Sequence, residues 1–406
     1  MIEYLNDSLL VLKEVYLDKK YVNVALTHVK VSPLVTKIVY GVIENNILLN
    51  NTLNKLVQKK PNKTVEIILK IGIYLLLFSD NIPAYAVVNE CVNLTKRVGK
   101  KELAGFVNGV LKKVSSKQVD IDDAKINKPD WFINKLNKIY DIETVERIVT
   151  AKPLTQEHVR INLGKKIQLE EKLKSKNIPY TKTSVGGFYV QINSYIKQLM
   201  HDGYLTIMSP SSMLTCQAFD IKGNTKLLDL CAAPGGKSIY LSELASGKCE
   251  MTACDIYYHR LNLISSYAKR MGTENIKIEK RDAKIFNPDF ENAFDYVLLD
   301  APCSCLGTFL KHPDIFLNAK ESDIANLAKQ QKEIADNAVR YLKKGGYLIY
   351  STCTIFPEEN EIVADYIAEK ISEDYTDCCL NGRYLSLFDK FNEGFFITRF
   401  KKWKTF

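Results

Sequence analysis

The strongest constraint in this chain is the rhythm of its C-terminal half. Short apolar runs at residues 226–230, 251–255, 276–279, 296–300 and 347–351 alternate with helical patterns at 238–245, 260–270 and 324–342. Strands separated by helices cannot pair as tight hairpins. They predict an α/β fold, a doubly wound parallel sheet with helices on both faces. Such sheets bind ligands beyond the carboxyl ends of their strands. Asp229, Asp255, Asp300 and Cys353 each end a run or lie within two residues of its end. The unusual chemistry gathers on one edge.

The first 117 residues follow a different period. Leu9, Leu10, Leu12 and Val15, then Val35, Ile38, Val39 and Val42, recur at three-and-four spacing, as amphipathic helices require. Pro33 suits a helix start, and Asn81-Ile82-Pro83 marks a break between helices. Residues 115–130 have the polar composition of a linker. Further on, Val159-Arg160-Ile161-Asn162 alternates like a strand, Gln168 to Lys176 reads as helix, and Gly187-Phe188-Tyr189-Val190 returns to strand. The expected organisation is an all-α domain at 1–117, a linker and helical segment at 118–150, a small α+β segment at 151–220 and the α/β domain at 221–406.

Composition narrows the setting. The net charge of +9 leans toward an anionic partner, but only weakly. No basic stretch followed by an apolar core opens the chain, so no signal peptide is expected. The most apolar stretch, 67–78, is too short to cross a bilayer and is interrupted by Lys70. Ten cysteines without an export signal predict reduced thiols in a cytoplasmic protein. No metal is expected. Cys303 and Cys305 are one residue apart, Cys378 and Cys379 are adjacent, and no Cys-x2-Cys pair or nearby histidine completes a tetrahedral set. A monomer is expected.

After the first strand comes Asp229-Leu230-Cys231-Ala232-Ala233-Pro234-Gly235-Gly236-Lys237-Ser238. Its glycines let backbone approach a ligand, and the next helix offers its N-terminus to negative charge. A phosphate-binding loop would need glycine at position 231, where cysteine stands, and the dinucleotide pattern Gly-x-Gly-x-x-Gly is absent. A nucleoside ligand without phosphates, such as S-adenosylmethionine, fits better. Asp255 is spaced to meet ribose hydroxyls, and Asp282 could accept from an adenine amine. Any one aspartate is more often a turn residue. A series of them at successive strand ends is not readily accidental.

Asp300-Ala301-Pro302-Cys303-Ser304 and Ser351-Thr352-Cys353-Thr354 should follow neighbouring strands. A lone cysteine is most often a small buried hydrophobe. Two beside an acid at a cofactor cleft suggest nucleophilic chemistry. Carbon 5 of cytosine is too weak a nucleophile to take a methyl group unaided, but thiolate addition at carbon 6 pushes electrons onto it. The site should therefore lower the pKa of Cys353. A second thiol can assist release of the product, and Asp300 can contact N3 or the exocyclic amine. The base must be unstacked to enter, which favours loosely paired RNA.

At these residues the chain resembles the RNA cytosine-C5 methyltransferases, in which Leu-Asp-x-Cys-Ala-Ala-Pro-Gly-Gly-Lys, Asp-Ala-Pro-Cys-Ser and Ser-Thr-Cys-Thr-x-x-Pro-Glu-Glu-Asn recur in this order. The third runs from Ser351 to Asn360. The resemblance implies a class I methyltransferase domain, Cys353 as nucleophile and Cys303 in product release. It also implies S-adenosylmethionine held by Cys231, Ala232, Ala233, Pro234, Gly235, Gly236 and Lys237, with Asp255, Arg260, Asp282 and Asp300.

Ile71-Gly72-Ile73-Tyr74-Leu75-Leu76, the run from Ile82 to Glu90, and Gly105-Phe106-Val107-Asn108-Gly109-Val110-Leu111 look like a NusB-like RNA-binding domain. Together the modules resemble the bacterial 16S ribosomal RNA (cytosine-C5) methyltransferases, whose middle segment and C-terminal strand match Val159–Asn162 and Gly394-Phe395-Phe396. Two departures stand out: Cys305 replaces a usual glycine, and Ile207-Met208-Ser209-Pro210-Ser211-Ser212 replaces a segment close to Val-Gln-Asp-Glu-Ala-Ser. The catalytic residues leave transfer RNA or another ribosomal site open as substrate. Intact cysteines and an intact glycine loop argue against a non-catalytic RNA-binding protein. A DNA methyltransferase would leave Cys353 without a role.

Overall fold

The computed structural model describes residues 1–117, 127–221, 223–273, 275–371 and 383–403. Cys378, Cys379 and the middle of the 115–130 linker lie outside the described residues. By compactness the chain divides into two units, Met1–Ala151 with Phe309–Ala319, and Lys152–Thr308 with Lys320–Phe406.

The first unit is helical. Helices Ile2–Leu17, Pro33–Glu44, Lys63–Phe78, Ala84–Arg97 and Ala104–Ser115 bury one apolar core that includes Leu9, Leu12, Val15, Val35, Ile38, Val39 and Val42. Leu10 departs from the expected face and is 46% exposed. One residue on from Leu9, it is turned about a quarter of the way round the helix. Pro33 opens its helix as predicted, behind Ser32, whose hydroxyl accepts from the Val35 N–H. Lys70 sits inside the most apolar helix because Glu66 and Asn46 meet its ammonium at 3.4 and 3.0 Å, although burial pushes it down to about 8. Among the described residues, no helix is long and apolar enough to cross a membrane.

The second unit holds two sheets. The smaller contains β1 (Glu157–Ile161), β2 (Tyr180–Lys182), β3 (Phe188–Val190) and β4 (Leu205–Ile207), all antiparallel, in the order β2-β3-β1-β4. The unusual 207–212 run ends β4 and starts helix Pro210–Gln217, with Ser209 capping it through the Ser212 N–H.

The larger sheet comprises β5 (Thr225–Asp229), β6 (Cys249–Asp255), β7 (Ile276–Lys280), β8 (Phe294–Asp300), β9 (Leu342–Thr352), β10 (Tyr384–Leu387) and β11 (Gly394–Lys401). Its order is β10-β11-β9-β8-β5-β6-β7. The five strands β5 to β9 run parallel, as predicted, and β10 and β11 add an antiparallel edge. Side chains alternate between faces. Leu227, Leu298 and Ile349 pack with Tyr240 and Leu241, whereas Leu228, Val297, Leu299 and Leu348 pack with Ala335, Val339 and Val363. Helices therefore cover both sides. The chain order reverses between β5 and β8, which opens a crevice at their carboxyl ends.

Candidate active site

The loop Cys231–Lys237 lies at that reversal. Asp229 ends β5, fully buried, with one oxygen accepting from the Cys231 N–H at 3.3 Å and the other from the Ser238 hydroxyl at 2.6 Å. Burial pushes its carboxyl up to about 7. Gly235 has φ of 106°, a left-handed conformation natural to glycine. It caps helix Gly236–Leu244, whose first intrahelical bond runs from the Ile239 N–H to the Gly235 carbonyl. The preceding N–H groups of the first turn have no partner within the helix, so they can meet a carboxylate.

Asp255 ends β6 and is buried. It accepts from the Ala233 N–H and the Tyr257 N–H, both at 3.3 Å, and faces Arg260 at 3.4 Å. Arg260 also donates to the Ala233 carbonyl at 3.1 Å, so one guanidinium ties the loop to β6. Asp282 follows β7, half-buried, accepting from the Lys284 N–H at 3.0 Å. The expected ladder is thus present, with Asp229, Asp255, Asp282 and Asp300 at or just past four successive strand ends. Carboxylates that can accept from hydroxyl and amine groups thus lie beside helical N–H groups that can donate to a carboxylate.

Asp300 and Ser351 are paired in the β8–β9 register, which brings the two cysteine loops together. Cys303 Sγ lies 3.3 Å from Cys353 Sγ and 4.0 Å from Cys305 Sγ. Asp300 accepts from the Lys237 ammonium and from the Ser351 hydroxyl, each at 2.7 Å. Here one expectation is corrected. Hydrogen bonding to Cys303 and Cys305, with burial, holds the Cys353 thiol well above its ordinary value. The hydrogen bond with Cys305 likewise raises Cys303. Cys305, receiving hydrogen bonds from both neighbours, is the thiol that falls. Cys305 is thus the one thiol of the three whose neighbours favour its ionised form.

A buried polar frame fixes these loops. Glu359 accepts from the Ser304 N–H at 2.8 Å, the Ser304 hydroxyl at 2.6 Å and the Gln331 amide at 3.1 Å. Gln331 also donates to the Pro302 carbonyl at 2.9 Å. Asn360 accepts from Thr352 and donates to the Thr354 carbonyl, bracketing Cys353. Glu359 and Asn360 belong to the Pro-Glu-Glu-Asn run, so a signal for them existed. Gln331 sits mid-helix without any motif.

Residues 216–380 match the family model described as 16S rRNA methyltransferase RsmB/F, and residues 7–116 match the NusB family. A Bacillus subtilis protein described as "Probable ribosomal RNA small subunit methyltransferase B" is 33% identical over 83% of this chain and 80% of its own length. An Escherichia coli ribosomal RNA small subunit methyltransferase B is 28% identical over 81% and 80%. Among solved structures, PH0851 superposes with a TM-score of 0.83 at 22% identity, covering 98% of this chain and 99% of that one. NSun6 from Pyrococcus horikoshii, with SFG, gives 0.59 at 20% identity over 68% and 99%. Both show the same fold.

Proposed function

The chain belongs to the RsmB/F family of 16S rRNA methyltransferases, and from that premise we propose that this S-adenosylmethionine-dependent rRNA methyltransferase acts on carbon 5 of a cytosine in 16S ribosomal RNA, with Cys353 as the covalent nucleophile. The observation that carries this reading is the pair of sulfurs 3.3 Å apart beside the Lys237–Asp300–Ser351 cluster.

S-adenosylmethionine supplies an electrophilic methyl group on a sulfonium. The chain's own residues make the acceptor reactive. Cys353, once deprotonated, forms a bond to carbon 6 of the cytosine, and the carbon 5–carbon 6 π pair moves toward carbon 5. Asp300, held by Lys237 and Ser351, accepts a hydrogen bond from the exocyclic amine and orients the base for attack. After methylation, carbon 5 carries both hydrogen and methyl. Cys303, once its own proton has passed to solvent, takes that proton, the double bond re-forms, and the Cys353 thiolate leaves.

The residues of the 231–237 loop, with Asp255, Arg260 and Asp282, hold the cofactor in this reading. The NusB-like residues and the 151–220 segment engage RNA, and the target base is unstacked to enter. The enzyme works as a monomer in the cytoplasm, where the thiols stay reduced.

Methyl transfer to 16S RNA, resolved on denaturing gels and mapped by bisulfite sequencing, tests the scheme. Cys353→Ala should abolish transfer while cofactor binding survives. Cys303→Ala should accumulate a covalent RNA–protein adduct. Residual 5-methylcytosine formation by Cys353→Ala would refute the nucleophile assignment.

A further inference from the structure

We propose that Cys303, Cys305 and Cys353 form a tri-thiolate site for a soft metal ion, Zn2+ or its analogue Cd2+, poised at the mouth of the catalytic cleft. Spacing along the sequence hides this set, because two ligands come from the loop after β8 and one from the loop after β9. Folding brings all three Sγ atoms within 4.8 Å of one another. Zinc–sulfur bonds of about 2.3 Å, opened at tetrahedral to trigonal angles, place sulfurs roughly 3.8–4.0 Å apart. The observed separations of 3.3 and 4.0 Å from Cys303 straddle that range, so only small side-chain shifts are needed.

Three further features favour a site over a chance cluster. Both loops are pinned by the Glu359, Gln331 and Asn360 bonds, which makes the sulfur positions a property of the scaffold. All three cysteine residues keep some exposure, unlike Cys91, Cys216, Cys249 and Cys254, which are buried. Cys305 is held at φ of 58°, where glycine would be unstrained and any other side chain costs of order 1 kcal/mol or more. A thiol kept at a strained position invites a role for its sulfur.

The binding step balances as one divalent ion plus three thiols giving a metal tri-thiolate and three protons, with a fourth position left to water. The complex carries one net negative charge. The Lys237 ammonium favours charge on Cys353, while the Asp300 and Glu359 carboxylates disfavour it on Cys305. A bound ion would occupy the Cys353 sulfur and block methyl transfer reversibly. That consequence rests on the proposed role of Cys353, whereas the site itself does not.

Cd2+ titration of the full chain, in a phosphine reductant without chelator, tests the site through the ultraviolet thiolate-to-metal band. One Cd2+ per chain should bind, with the band of three thiolates. Cys305→Ser should weaken binding at least tenfold and remove about a third of the band, and so should Cys305→Gly, which relieves the backbone strain and guards against misfolding. The chain also carries Cys378 and Cys379, and the double substitution C378S/C379S should leave the band intact. An absent band, a band unchanged by both Cys305 variants, or a band lost with Cys378 and Cys379 would each overturn the site. Saturating Cd2+ that binds three thiolates yet leaves methyl transfer untouched would keep the site and remove Cys353 as nucleophile.

Discussion

Lys237 Nζ stands 2.7 Å from Asp300 Oδ2, so the first residues of one helix and the end of β8 close on a single carboxylate. Burial works against the lysine charge, but the Asp300 carboxylate more than offsets it and holds the ammonium well up. The side chains are 15% and 28% exposed, so the pair is screened from bulk water. Asp300→Asn would keep the shape and the Ser351 contact while removing the charge. The expected result is a fall in kcat of about 10²–10³-fold, the range for loss of one preorganised electrostatic contact. Steady-state methyl transfer measures this. A kcat within threefold of the parent would exclude Asp300 from the reacting centre.

Glu359 is fully buried and receives three hydrogen bonds that position the Cys303–Cys305 loop. Glu359→Ala leaves the Ser304 N–H without its acceptor and the Gln331 amide with the Pro302 carbonyl alone. Stability should drop by about 2–4 kcal/mol, since a buried donor pays its full desolvation cost. Glu359→Gln keeps one acceptor oxygen and should cost less than half as much. Chemical denaturation of the two variants checks the order. An Ala variant as stable as the Gln variant would show that the frame does not depend on this side chain.

The catalytic half was legible because its signals are local. A strand–glycine loop–helix run and two cysteine motifs fall on strand ends that a period-two pattern already marks. What stayed hidden depends on partners far away in sequence. Nothing in Val159-Arg160-Ile161-Asn162 names Glu243 as the partner of Arg160, 83 positions on. Nothing in Phe309–Ala319 shows that it clusters with the N-terminal helices, where Asp314 accepts from the Val22 N–H. Cys305 read as a departure from a motif, because its neighbours in space are set by β8–β9 register. The raised Cys353 thiol has the same origin: it hydrogen-bonds two other sulfurs that only the fold brings near, one of them in the loop's left-handed turn.

Arg160, fully buried on β1, meets Glu243 Oε2 at 2.5 Å and stacks on Tyr240 at 4.8 Å, tying the small sheet to the helix after the glycine loop. Breaking one partner of a buried pair typically costs about 3–5 kcal/mol, because the other charge is stranded. Arg160→Met alone should show that loss in denaturant midpoint. Arg160→Met with Glu243→Leu should regain most of it, since both charges are then gone. If the double variant is as unstable as the sum of the singles, the two residues are not coupled.

Asp229 gives the fold a pH signature with a defined sign. Burial raises its carboxyl from 3.8 in the unfolded chain to about 7 in the folded one. Between those values the folded state holds a proton that the unfolded state has released, so stability falls as pH rises. The contribution is fully present below about pH 4, is lost on passing through 7, and is on the order of a few kcal/mol. Asp229→Asn cannot ionise, yet its amide can still accept from the Cys231 N–H or the Ser238 hydroxyl. The melting temperature of the parent relative to that variant should therefore decline from pH 5 to pH 8. Parallel pH profiles for the two proteins would mean that the Asp229 carboxyl titrates alike in the folded and unfolded states.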